Sequence, residues 1–387
     1  MNPAVIFLGA WSGVSLCWWG IAIKLVHAAR RRRSPGADAR PRTESLTVFK
    51  PLPPVDDAAT VQRLAGAIRT FLQQLGPGDD LRLGVPEAQA TLWLPTLDQW
   101  RREFPSVPVH AVVRPPPDQR ANPKVAWLEH LAPGSRATLW LWSDADILAP
   151  PGFLQQLRDE LADAPAIGAV TAPYRVGEAR GGAGWLDALF VNMEFLPGTL
   201  LLGRLGTVSL AFGAAVLFRA GDFHRRISWD ALGASLADDH ELGRRLAPVR
   251  VSGALASTLA LETRLGPALR HLHRWQRTIR WCRPSGAAAL VVILPLSGWL
   301  LRCAAAPGDH LSWIGLAGQY AAELLVAALL LHGAGFRGPC SGLPALLAWP
   351  AVRLGVWLAS WLPIPVHWSA PGDPWTRPRK ARRPEAG

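Results

Sequence analysis

The chain has 387 residues, 49% of them hydrophobic and only 18% charged, with a net charge of +12 and a pI of about 10.8. A chain this apolar is atypical of a soluble enzyme. Its densest basic runs, RRRR at residues 30–33 and RPRK near the C-terminus, sit at the margins of apolar sequence, which argues against nucleic acid and for an anionic membrane surface. Cys17, Cys282, Cys303 and Cys340 show no CxxC spacing, so neither a zinc site nor a disulfide framework is expected.

Residues 4–26, AVIFLGAWSGVSLCWWGIAIKLV, carry one charge, Lys24, and are long enough to span a bilayer. The charge follows the apolar core and no A-x-A site comes after it, so a signal anchor is expected rather than a cleaved leader. The expected organisation is an anchor over 1–29, a basic linker over 30–44, a cytoplasmic catalytic domain over 45–283, membrane helices over 284–366 and a basic tail over 367–387. The positive flank at 30–33 places the catalytic domain on the cytoplasmic side.

Between residues 45 and 263 the pattern is α/β. SLTVFK (45–50), LRLGV (81–85), VPVHAVV (107–113), ATLWLWSD (137–144) and AIGAVTAPY (166–174) read as short buried strands, with helices between them at 58–75 and 152–162. Such alternation predicts a mainly parallel sheet covered on both faces, with ligands at the carboxyl ends of the strands. The apolar run 196–217, broken by Pro197, Arg204 and glycines, reads as a membrane-adjacent buried segment. Residues 287–301 and 312–331 read as spans, the second carrying Glu323, which must be buried in a bundle. Residues 343–366 fit either a span or an interfacial helix, and the second would keep the basic tail inside.

Three clusters carry chemistry. Asp144 and Asp146 end an apolar strand two residues apart, a spacing that would point both carboxylates the same way toward one hard cation. Alone, D-x-D also fits an acidic turn ahead of Pro150 and Pro151. Asp238 and Asp239 open a helix in LADDHELGRRL (236–246). Acidic residues there complement the helix dipole or supply a general base, and local sequence does not separate the two. Residues 270–281, RHLHRWQRTIRW, alternate basic and aromatic side chains, as in a membrane-surface belt or a pyrophosphate-contacting motif.

In this order the three resemble the family-2-type inverting glycosyltransferases with a GT-A domain, a Rossmann-like nucleotide-sugar fold, and specifically the ceramide-glucosyltransferase branch with its hopanoid-associated bacterial relatives. The likeness spans nearly the whole chain. VFKPLPPVDD (48–57) is similar to the family's opening strand and loop, and ANPKVAWL (121–128) to its NPK element. Ala348, Trp349 and Arg353 are similar to its last helix.

The resemblance implies a metal and donor site at Asp144 with Asp146 sharing an Mg2+ or Mn2+ ion, and Asp239 as the base. Substrate contacts are implied from Lys50, Lys124, Asp238, His271, Arg274 and Trp275. It implies a UDP-sugar donor of glucose or N-acetylglucosamine type and a sphingolipid- or hopanoid-type lipid acceptor in a bacterial inner membrane. Two departures stand out. The loop that carries the family's first aspartate reads GVPEAQATL (84–92), where only Glu87 offers a carboxylate, and His271 stands where the family has Gln or Arg. Residues 277–281 also satisfy RxxRW literally. A non-catalytic scaffold built on a degenerate transferase and a processive polysaccharide synthase are the alternatives.

Overall fold

The computed structural model describes residues 2–31, 44–55, 57–117 and 120–366. Most of the expected linker and the whole basic tail lie outside the described residues. These residues form two compact units. One holds residues 44–175 together with Leu202–Leu259; the other gathers the N-terminal helix, Val176–Leu201 and Ala260–Val366. The domain expected over 45–283 therefore departs from the observed division at 176–201 and again from 260 onward. The helix over Gly181–Leu205 explains the first departure, because it is apolar and 61% buried.

The first unit is built on a seven-stranded sheet. Its strands in chain order are β1 (Leu46–Pro51), β2 (Asp80–Pro86), β3 (Val109–Arg114), β4 (Leu139–Ser143), β6 (Ala169–Thr171), β8 (Ala215–Arg219) and β9 (Val249–Val251). Short strands β5 (Ile147–Leu148), β7 (Tyr174–Val176) and β10 (Ala256–Thr258) form a second sheet. The large sheet runs β3-β2-β1-β4-β8-β6-β9. Every pairing is parallel except those of β8, which lies antiparallel between β4 and β6. This is the mainly parallel α/β architecture expected of a GT-A domain.

All five residues of β4 are buried, because both sheet faces are covered. On one face Trp140 and Trp142, two residues apart, pack against Phe49, Phe218 and Phe223, and Trp142 stacks on Trp229 at 5.7 Å. On the other face the helix over Ala58–Leu72 presents Val61, Leu64, Ile68 and Phe71 at helical spacing, and Asp57 caps its start by accepting from the Thr60 N–H at 2.7 Å. A buried ion pair ties the sheet to the helix over Phe153–Ala162: Arg158 Nη2 donates to both oxygens of Asp79 at 2.8 Å.

The apolar run at 196–217 proves to be two things rather than one membrane-adjacent segment. Its start belongs to the Gly181–Leu205 helix and its end enters β8, with Gly206 at a φ of +121° between them. A strand buried on both faces reads as a continuous apolar run, so period alone could not split it. The expected strand at 166–174 likewise breaks into β6 and β7 around Ala172 and Pro173.

Among the described residues, four helices are long and apolar enough to cross a membrane: Pro3–Arg31, Gly181–Leu205, His310–Ala334 and Cys340–Trp361. The span expected over 287–301 falls on a bent pair, Pro284–Ile293 and Pro295–Ala305, which meet at 62° as a broken span or a re-entrant loop. Pro295 lacks the N–H and crowds the preceding turn, which accounts for the bend. Glu323 is buried as expected, with Arg353 Nη1 at 3.3 Å and Gln319 Nε2 at 3.0 Å. Within this unit Trp299 donates to Ser12 at 3.0 Å and Arg30 to the His332 carbonyl at 3.0 Å, joining the N-terminal helix to the later ones.

Candidate active site

The site forms at the carboxyl ends of β1 and β4 from two lysines, four aspartates and a glycine. Lys124 stands in the first turn of the helix over Pro123–Leu131. Asn122 caps that helix by accepting from the N–H groups of Lys124 (3.0 Å) and Val125 (3.3 Å), and Pro123 occupies the first helical position. The Nδ2 of Asn122 donates to the Ser235 carbonyl at 3.0 Å and to Asp238 Oδ1 at 3.2 Å, so one amide also fixes the start of the helix over Asp238–Leu246.

Lys124 Nζ lies 2.7 Å from Asp144 Oδ1 and 3.3 Å from Asp238 Oδ2. Burial alone would lower the Lys124 pKa, but the charges of Asp144, Asp238 and Asp239 outweigh it and hold the ammonium above its ordinary value. Asp239 takes different partners. Its Oδ1 accepts from the His240 N–H at 2.7 Å, while Oδ2 looks over Gly213. Burial first, then repulsion from Asp238, push its carboxyl up to about 7.

Gly213 is the centre of the arrangement. A Cβ there would come within 3.3 Å of Asp144 Oδ2, Asp239 Oδ2 and Lys124 Nζ at once. Only glycine leaves that hollow open, and Gly213 was not singled out from sequence. Tyr174 belongs to the same electrostatic neighbourhood: burial, then the charges of Asp144, Asp239 and Asp146, raise its phenol pKa.

Asp144 and Asp146 do not share one strand face. β4 ends at Ser143, and the two aspartates lie in a turn before β5, with the Asp144 carbonyl accepting from the Ile147 N–H at 3.4 Å. Their carboxylates therefore take different partners. Asp144 pairs with Lys124, whereas Asp146 Oδ2 accepts from Thr258 Oγ1 at 2.8 Å. Burial, then the Asp144 charge, raises Asp146 to about 6.

Lys50, expected to contact substrate, is wholly buried over the Phe71 ring and donates to Ser143 Oγ (2.9 Å) and the Asp144 carbonyl (2.7 Å). It orients the aspartate turn instead. Its burial pulls its pKa down to about 7 against the pull of Asp146 and Asp144. Glu87 is exposed and opens a short 3-10 turn at the carboxyl end of β2. Gly84, at the start of the same loop, is fixed by packing: a Cβ would meet the Trp127 ring at 2.6 Å.

His271, Arg274 and Trp275 belong to the helical unit, on the helix over Leu265–Cys282. His271 Nδ1 is 3.6 Å from Asp187 Oδ1, its ring lies 4.2 Å from that of Trp275, and Trp275 packs on Phe190 at 5.3 Å. In the later frame, Arg277 is spent on helix packing, donating to the carbonyls of Ser360 and Leu362.

Magnesium and manganese commonly take one or two carboxylates and complete their shell with phosphate oxygens and water. Asp144 and Asp146 provide that number, and the Asp144 side chain is 40% exposed, so the donor set suits such an ion bound together with a diphosphate. Among the described residues no group of three or more His, Cys, Asp and Glu forms a closed metal cage.

Among solved structures, the chain is similar to the mannosyltransferase PcManGT from Pyrobaculum calidifontis in complex with GDP-Man and Mn2+, at 16% identity and a TM-score of 0.47, covering 92% of this chain and 96% of that one. It is also similar to GalNAc-T7 with UDP, GalNAc and Mn2+, at 10% identity and a TM-score of 0.38, covering 62% of this chain and 48% of that one. No curated protein matches the chain. The family model of glycosyl transferase family 21 matches residues 13–371, nearly the whole length, and the chain is accordingly a member of that glycosyltransferase family.

Proposed function

We propose that the chain moves a single sugar, of glucose or N-acetylglucosamine type, from a UDP-sugar to the hydroxyl of a sphingolipid- or hopanoid-type lipid, with inversion at the anomeric carbon. The observation that carries this reading is the convergence of Asp144, Asp239 and Lys124 on Gly213, where a side chain would crowd all three. Four helices among the described residues that are long and apolar enough to cross a membrane favour a lipid acceptor and a location in the inner membrane, and the basic run at 30–33 favours a catalytic unit on the cytoplasmic side.

Asp239 is the base. Asp238 already serves Asn122 and Lys124, whereas Asp239 keeps Oδ2 open to the hollow. Asp239 Oδ2 takes the acceptor hydroxyl proton as that oxygen bonds the anomeric carbon. The bond from that carbon to the diphosphate oxygen breaks, and its electron pair leaves with UDP. A carboxyl poised near neutrality suits this proton transfer.

Asp144 and Asp146 would hold a divalent cation, which neutralises charge on the departing diphosphate. Lys124 keeps Asp144 in place and adds positive charge beside the hollow, and Lys50 sets the turn from behind. Glu87, exposed beyond β2, is the carboxylate available to the nucleotide there. For His271, Arg274 and Trp275 the family motif implies an aromatic and basic contact to pyrophosphate and acceptor.

The test is UDP release and glycolipid formation by purified protein in detergent, with UDP-glucose or UDP-N-acetylglucosamine, a panel of hydroxylated lipids and Mn2+. The reading predicts a glycolipid product that Asp239→Asn abolishes. UDP formation absent with every acceptor would leave the scaffold alternative standing.

A further inference from the structure

Each aspartate of the turn between β4 and β5 has one carboxylate oxygen already engaged. Asp144 Oδ1 lies 2.7 Å from Lys124 Nζ, and Asp146 Oδ2 accepts from Thr258 Oγ1 at 2.8 Å. Lys124 belongs to the NPK element, whereas no motif points to Thr258, which reaches Asp146 across 112 positions of sequence.

The contact is built into the second sheet. Thr258 ends β10, which pairs antiparallel with β5, Ser257 opposite Leu148 and Thr258 opposite Ile147. The next residue adds a second tie, for the Leu259 N–H donates to the Asp146 carbonyl at 3.0 Å. Consecutive residues therefore hold the backbone and the side chain of Asp146. Thr258 is 8% exposed, and its branched side chain has few rotamers to choose from, so Oγ1 is presented to the carboxylate in advance. An ionised carboxylate only accepts, so the threonine hydroxyl is the donor, and a bond to a charged oxygen is stronger than a neutral one.

What remains is one oxygen on each aspartate. Asp144 keeps Oδ2, on the Gly213 side, and Asp146 keeps Oδ1. Any rotation of the Asp146 carboxylate that turned both oxygens toward one ion would break the Thr258 bond. This bears on the choice of ion. Mg2+ and Mn2+ favour octahedral shells of single oxygens from carboxylates, phosphates and water. Ca2+ takes about six to eight oxygens in looser geometry and often binds a carboxylate through both.

We propose that Thr258 is a positioning residue of the cation site, holding Asp146 to ligation through one oxygen and so favouring a small octahedral ion over calcium. The proposal rests on the reading of Asp144 and Asp146 as cation ligands and adds the residue that sets which ion they take.

The test is cation binding by the full purified chain in detergent, with UDP present and no acceptor, so that turnover does not enter. Loss of the free-ion electron paramagnetic resonance signal reports Mn2+ binding, and return of that signal on titration reports displacement by Ca2+. The parent should bind Mn2+ at least about tenfold more tightly than Ca2+. Thr258→Val keeps a branched shape suited to a strand and removes the donor. Its Mn2+ dissociation constant should rise about tenfold, the scale of losing a partner that orients a metal ligand, while that of Ca2+ stays within about twofold. Thr258→Ser keeps the hydroxyl and should hold both constants within about twofold of the parent.

Equal affinity of the parent for the two ions overturns the proposal without any variant. So does an equal loss for both ions in Thr258→Val, or a serine variant as impaired as the valine one. Mn2+ binding by the parent that Thr258→Val leaves unaltered would count against Thr258 alone. No Mn2+ binding by the parent would refute the cation reading in the proposed function, and this proposal with it.

Discussion

Replacing Lys124 by methionine keeps the length of the side chain and removes its charge. At an effective dielectric of about 20, the contacts at 2.7 and 3.3 Å correspond to gross attractions of about 6 and 5 kcal/mol. The Asp144 side chain is 40% exposed, so solvent screening reduces its share to the small value of a surface pair. The Asp238 side chain is 7% exposed, and breaking a buried pair from one side costs about 3–5 kcal/mol. Asn122 still supports Asp238, which favours the lower end, about 3 kcal/mol. For a unit of this size, that loss lowers the melting temperature by about 6–12 °C.

Differential scanning fluorimetry in EDTA measures the shift, and Lys124→Arg, which retains the charge, should recover most of it. Turnover of UDP-sugar should fall about 100-fold in the methionine variant, the scale of losing one fixed charge from a reacting centre. A melting temperature within about 2 °C of the parent, together with unimpaired turnover, would refute the view that Lys124 balances the aspartates.

Gly213→Ala separates activity from stability. The new methyl would crowd the hollow at 3.3 Å from three charged atoms, so turnover should drop at least about tenfold, whereas the stiffer unfolded chain offsets part of any stability loss, by about 0.4–1 kcal/mol. The acid limb of kcat/KM should report a group titrating near 7, and Asp238→Asn, by removing the repelling charge, should move that limb to lower pH in a pH–rate profile. Asp79→Ala leaves Arg158 buried and unpaired, so it should cost about 3–5 kcal/mol in melting experiments while kcat at low temperature stays near the parent value. Chelation of divalent cations should stop UDP release, and Mn2+ should restore it.

The strands before residue 145 were readable because each is a short buried run bounded by turn residues, and β1, β2 and β4 fall within two residues of where the pattern puts them. β8 was hidden because a doubly covered strand and the tail of an apolar helix have the same composition. The order of the aspartate, DD-helix and RW motifs pointed to the family and, through it, to Asp239 as the base, but not to the contact that sets the neighbouring acids apart. Asp238 and Asp239 differ by which carboxylate meets Asn122, a contact between residues 116 positions apart. Gly213 carried no sequence signal at all, since a glycine in an apolar run marks a hollow only after three other segments have been folded around it. Lys50 was misread because a lysine ending a strand at a ligand edge is usually exposed, and here Phe71 covers it.

Asn122 has a chemical consequence beyond its position. Its amide uses both acceptor directions and both donor hydrogens, so replacement of Nδ2 by an oxygen would turn two donors into a charge facing the Ser235 carbonyl and Asp238. Asparagines undergo that replacement spontaneously when the next backbone nitrogen attacks the side chain and closes a five-membered imide. The next residue is Pro123, whose nitrogen has no hydrogen to give up. The ring that starts the helix thereby closes this route of ageing at the one amide where a stray negative charge would part Lys124 from its aspartates.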